Sequence, residues 1–73
     1  MPKLPVLKPR QVIAALEKAG FRQVRQRGSH VQLKRGNLLV TIPVHPGDLK
    51  HQVFRSILRQ AQMDVDGFLA LIS

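Results

Sequence analysis

From Pro9 onward the spacing of apolar residues changes period twice. Val12, Ile13, Leu16 and Ala19 recur at helical spacing, with Pro9 suited to a first helical position and Gly20 to the residue just past the end, which predicts a helix over 9–19. Residues 21–27 read as a strand of poor alternation, because Val24 is the only apolar residue after Phe21. Gly28 and Ser29 make a turn. His30, Val31, Gln32, Leu33 and Lys34 then alternate cleanly, which sends Val31 and Leu33 to the core and His30, Gln32 and Lys34 to the other side of the sheet. That second side meets water if helices cover only one face. Arg35, Gly36 and Asn37 supply a hairpin loop, and Leu38 to Ile42 form a third strand ended by Pro43.

A Pro-Gly loop over residues 44–48 leads to a second helix from about His51, with Val53, Phe54, Ile57, Leu58 and Ala61 on one stripe and Arg55, Ser56, Arg59 and Gln60 on the other. Asp64 suits the N-cap of a short last helix in which Val65, Phe68, Leu69, Leu71 and Ile72 are apolar. Residues 1–8, with Pro2 and Pro5 and no periodicity, are expected to form an extended arm. The expected fold is α+β, in the order α-β-β-β-α with a short C-terminal helix. The helices pack on one face of a three-stranded antiparallel sheet, in one domain spanning residues 1–73.

Composition narrows the class of function. A chain of 73 residues hides only about 60% of its unfolded surface, which leaves no room for a deep cofactor cavity. With no Trp or Tyr and only three Phe, the core is expected to be thin and aliphatic. Twelve Lys and Arg against four Asp and Glu give a net charge of +8, so polyanions are the expected partners. The basic residues are spread through strands and helices and do not line one face of an amphipathic helix, which favours nucleic acid over a membrane surface. The absence of Cys excludes a disulfide framework and any thiolate metal site. Neither a signal-like apolar run near the start nor a stretch long enough to span a membrane is present, and a cytoplasmic location is expected.

The α-β-β-β-α order is similar to that of double-stranded-RNA-binding modules, and three runs carry a closer likeness. RQRGSHVQL, TIPVHPGDLK and FRSILRQA, in this order and spacing, resemble the HicA (YcfA-like) toxins from Val12 to Leu71. The resemblance implies a double-stranded-RNA-binding-like fold, cleavage of mRNA that blocks translation, and neutralisation by a HicB-type antitoxin. It places the catalytic histidine of the Gly-Ser-His motif at His30. The chain departs from that pattern in two places. His51, Gln52, Val53 and Phe54 open the second helix where a Pro-Gly-Thr-like segment is common, and Gln62 stands where a helix-ending Gly is common.

Elementary chemistry is consistent with that assignment. RNA is cleaved without metal when its own 2′-hydroxyl attacks the adjacent phosphate, which needs a base, an acid and cations around the phosphorane. Histidine exchanges protons near neutrality and can serve as either. Arg25, Arg27 and Lys34 are candidates for the positive field, and Gly28 and Ser29 for close backbone and hydroxyl approach to a phosphate. His45 is a candidate second proton-transfer group or, alternatively, a loop residue bonded to backbone. His51, near a helix start, reads as structural or solvent-facing. Arg55 and Arg59, one helical turn apart, read as RNA contacts or as a solvated face. No metal or other cofactor is expected, because no two His are spaced i, i+4 and Asp48, Asp64 and Asp66 suit turns and caps. The rival function is a non-catalytic RNA-binding module, ribosome-associated or an inactive toxin homologue, for which His30 in its Gly-Ser-His setting has no use.

Overall fold

Six elements follow in the predicted order: α1 (Pro9–Lys18), β1 (Arg22–Arg27), β2 (His30–Arg35), β3 (Leu38–Pro43), α2 (His51–Gln60) and α3 (Val65–Ile72). The computed structural model describes residues 4–72, so the first three positions of the expected arm lie outside the described residues. The strands form one antiparallel sheet in the order β1-β2-β3. One face of it carries Val31, Leu33, Val40 and Ile42, all buried, and receives Val12, Ile13 and Leu16 of α1 and Phe54, Ile57 and Leu58 of α2. The described part of the arm is extended, as expected, and has a structural role that its sequence did not suggest. Leu7 is buried and its carbonyl accepts the N–H of Leu49 at 2.8 Å.

The core is less aliphatic than composition implied. Phe21, Phe54 and Phe68 are its largest fully buried side chains, and the Phe54 and Phe68 rings meet edge to face with centroids 5.0 Å apart, joining α2 to α3. Three aromatic residues suffice because all three are spent inside. Asp64 caps α3 as predicted, its Oδ1 accepting the Gly67 N–H at 2.6 Å.

Helices α1 and α2 end in the same way. In each, the residue after the C-cap is left-handed, and the next two N–H groups fold back onto the last turn: Gly20 to Glu17 and Phe21 to Leu16, then Gln62 to Arg59 and Met63 to Leu58. Gly20 adopts φ +98° without cost, but at the equivalent place in α2 a glutamine holds φ +53°. The departure at Gln62 is therefore a strained C-cap.

Arg35 closes the structure around the first of these turns. Its guanidinium donates to the Ala19 carbonyl at 2.8 Å and lies 4.6 Å from the centre of the Phe21 ring, so the β2–β3 hairpin is fastened to the end of α1. At the other edge of the sheet, the outward N–H of Thr41 donates to Gln60 Oε1 of α2 at 2.9 Å, which covers the β3 edge.

Two stability predictions follow from these joints. Gln62→Gly removes about 1–2 kcal/mol of left-handed strain and returns part of it as unfolded-state entropy. The expected outcome is a gain of about 0.5–1 kcal/mol, read as a rise of a few degrees in Tm. Arg35→Ala removes a cation–π contact and a charged hydrogen bond together, with an expected loss of about 1–2 kcal/mol by thermal unfolding.

Candidate active site on the open face of the sheet

The site begins with a two-residue turn. Gly28 has φ +54°, the conformation that a two-residue hairpin with glycine at its first central position demands, and the turn sets Arg27 directly opposite His30. Register then follows: Gln26 faces Val31 and Arg25 faces Gln32 across the ladder. Directly opposed residues of an antiparallel pair share a face, so Arg25 and Arg27 lie on the same side of the sheet as His30 and Gln32.

Strict alternation back from Arg25 would carry Phe21 to that solvated side as well. It does not, because the register shifts between Gln23 and Arg25, with Val24 as the extra residue. Beyond the bulge, Gln23 opposes Leu33 and Arg22 opposes Lys34. Phe21 is buried, while Val24 is 55% exposed. The poor alternation of this strand is thus a phase change, and its result is a face carrying Arg22, Arg25, Arg27, His30 and Lys34 with no helix over it.

His30 is exposed, yet its backbone is held on both flanks. On one side is the hairpin turn. On the other it opposes Pro43, which has no N–H, and the ladder resumes one residue later where the Val44 N–H donates to the Ser29 carbonyl. His30 and Pro43 therefore form a non-hydrogen-bonded pair, the arrangement in which facing side chains come closest. Further along the same face Gln32 Nε2 donates to Thr41 Oγ1 at 3.4 Å. Ser29 contributes its carbonyl to this frame, and a Cβ on Gly28 would meet open space, so only its φ calls for glycine.

The candidates do not all converge. Arg27 is opposite His30, and Arg25 is one cross-strand pair further along. Lys34 is four residues down β2 from His30, roughly 13 Å at the rise of a strand, too far to share one phosphate with it. His45 follows Val44 into the loop, where its Nδ1 lies 3.0 Å from the Pro46 carbonyl. That nitrogen is the donor, since a carbonyl only accepts, and Nε2 is left free. His51 begins α2 and is exposed, and Arg55 and Arg59 are exposed on α2 in the helix layer, away from the face that carries His30. Among the described residues no group of three or more His, Asp or Glu side chains is placed to hold a metal ion.

Sequence reasoning missed Arg22 and the Gln32–Thr41 contact. The turn at Gly28–Ser29 would have yielded the register of Arg25 and Arg27. Arg22 lies beyond the bulge and had no such signal.

Comparison with curated proteins finds no match. A family model does match: HicA toxin of bacterial toxin-antitoxin, over residues 9–63, from the start of α1 through the turn after α2. The match includes the whole sheet, the Gly28-Ser29-His30 turn and well over half of the 73 residues. This chain belongs to the HicA family of toxins from bacterial toxin–antitoxin systems.

Proposed function

We propose that this toxin is a metal-independent endoribonuclease that cleaves mRNA and so blocks translation, with His30 as its general acid or base. The observation that carries this reading is the phase change in β1, which leaves one imidazole among arginines on an open sheet face. A polyanionic strand laid along β2 meets Arg27 beside His30, then Arg25, then Arg22 and Lys34 as successive cations. At His30 the 2′-hydroxyl loses its proton as its oxygen attacks phosphorus. The bond to the 5′-oxygen breaks, and that oxygen takes up a proton. The products are a 2′,3′-cyclic phosphate and a 5′-hydroxyl. Arg27 and Arg25 serve by stabilising the charge gathered on the phosphorane, the contribution that is usually largest. His45, with Nε2 free, is the candidate for the second proton transfer.

The family implies an antitoxin, and we assign it a HicB-type partner with a surface complementary in charge to the open face. Arg55 and Arg59 are secondary RNA contacts in this reading, because they lie in the helix layer. The test is a digest of single-stranded RNA by the purified chain in EDTA, with analysis of product ends. Cyclic phosphate ends and no action on DNA are expected; a metal requirement or equal cleavage of DNA refutes the mechanism.

His30→Ala separates a nuclease from a module that only binds. An exposed ring leaves no cavity, so thermal unfolding should move by no more than about 0.5 kcal/mol. Cleavage should fall by about 10²–10⁴-fold, with RNA affinity nearly unchanged. Cleavage near the original rate would remove His30 from the mechanism. The charge model has its own readout, the slope of log affinity against log salt, which changes by about 0.7 for each phosphate contact to a single strand. Replacing Arg25 and Arg27 by Ala should flatten that slope more than replacing Arg55 and Arg59.

A further inference from the structure

The sheet has a second feature at the His30 end, on its other face. β1 extends beyond the helices, so that its inward-pointing residues Gln23 and Gln26 are exposed and not packed. They form one wall of a cleft of about 220 Å³, and Arg10 and Glu17 of α1 form the other. Ile13, Val31 and Val44 supply its apolar floor. Such a volume is below the roughly 300–1,000 Å³ of a drug-sized site and fits a single small ring.

We propose that this cleft takes one unpaired nucleobase bearing an exocyclic amino group, next to the phosphate held at His30. The proposal rests on the RNA-cleaving reading and adds to it a base-selecting subsite. Its position is fixed by alternation. Val31 follows His30, Val44 follows Pro43 and Gln26 precedes Arg27, each pair pointing to opposite faces, so the cleft lies directly behind the candidate catalytic residue. Only the Gly28–Ser29 turn separates the two faces at that end, and the space beside Gly28 is open. A strand crossing the turn leaves its phosphate on the arginine side and carries a base to the other.

The walls define the chemistry. Glu17 is exposed and its carboxylate, which only accepts, has no partner among the described residues. Close to the path of a polyanion, that carboxylate repels phosphate and is open to a ligand donor. Gln26 Nε2 is already donating to the Gly28 carbonyl at 3.3 Å, which leaves Oε1 as a second acceptor. Glu17 and Gln26 offer two acceptors to the amino group of cytosine, adenine or guanine and Arg10 a donor to a ring acceptor, whereas uracil has a carbonyl where cytosine has that amino group. No Phe ring is available to stack on a base, because Phe21, Phe54 and Phe68 are all buried, and the chain has no Trp or Tyr.

The test has two arms. In the first, 5′-CMP and 5′-UMP are titrated into labelled protein, with NMR following the side-chain amides of Gln23 and Gln26 and the Ile13 methyls. CMP should shift these signals at several-fold lower concentration than UMP. In the second, matched oligonucleotides carrying a single cytosine or uracil beside the cleaved bond are digested. Wild type should prefer cytosine by roughly tenfold, and Glu17→Gln should reduce that ratio towards one with an unchanged Tm. Gln23→Ala, at another exposed position, should reduce the ratio as well. Equal titration by both nucleotides, or a base preference untouched by both variants, overturns the cleft. If wild type cleaves no RNA, it is the nuclease reading that fails, and the titration alone then decides whether the cleft selects a base.

Discussion

Phe21 belongs inside and Arg25 and Arg27 belong outside, yet in an uninterrupted strand these three residues would share a side. The bulge at Val24 resolves the conflict by adding one residue to β1 without adding one to β2. The placement of the candidate site on the sheet depends on that phase change. Without it, either a phenylalanine enters water or Arg25 and Arg27 turn to the helix side of the sheet, away from His30, whereas the bulge costs only the exposure of one valine. The bulge also protects the molecule, since a twisted, arginine-bearing edge is a poor template for pairing with another chain. β3 solves the same edge problem differently, by giving its outward Thr41 N–H to Gln60.

The positive charge is not uniform in purpose. Arg35 is consumed by the fold, bonded to Ala19 and stacked on Phe21, and Lys18 donates to the Leu71 carbonyl at the end of α3. Both tie together elements distant in sequence. Arg22, Arg25 and Arg27 make no such bond among the described residues and face solvent. Three arginines kept unpaired in line with an exposed histidine is the arrangement expected of a surface that meets a polyanion and stays soluble without it.

Much of this was legible in the sequence, for identifiable reasons. β2 alternates without error, so Val31 and Leu33 were assigned inward and His30, Gln32 and Lys34 outward from spacing alone, and the structure agrees. The helix starts at Pro9 and His51 and the cap at Asp64 were equally local signals. β1 was not legible to the same degree, because a bulge breaks the period that such reasoning relies on. Arg22 and the cleft behind β1 lie on the far side of that break or depend on where α1 stops covering the sheet. Spacing along β2 already separates Lys34 from His30, but that Arg27 sits directly opposite His30 is decided by register, and the Gly28–Ser29 turn decides register.

The way His30 is held explains how so thin a domain can present a candidate reactive group. Its side chain is exposed and contributes nothing to the core, so the residue is free to be chosen for chemistry. Its position is nevertheless set by backbone alone, through the turn on one flank and the Ser29–Val44 bond on the other. A group fixed in this way on a flat face requires no enclosing pocket, and the consequence for regulation is direct. Among the described residues no element lies over that face. A partner that covers the open side of the sheet is the control that follows from the proposed site. The chain's membership of a toxin–antitoxin family, which implies an antitoxin, accords with such control.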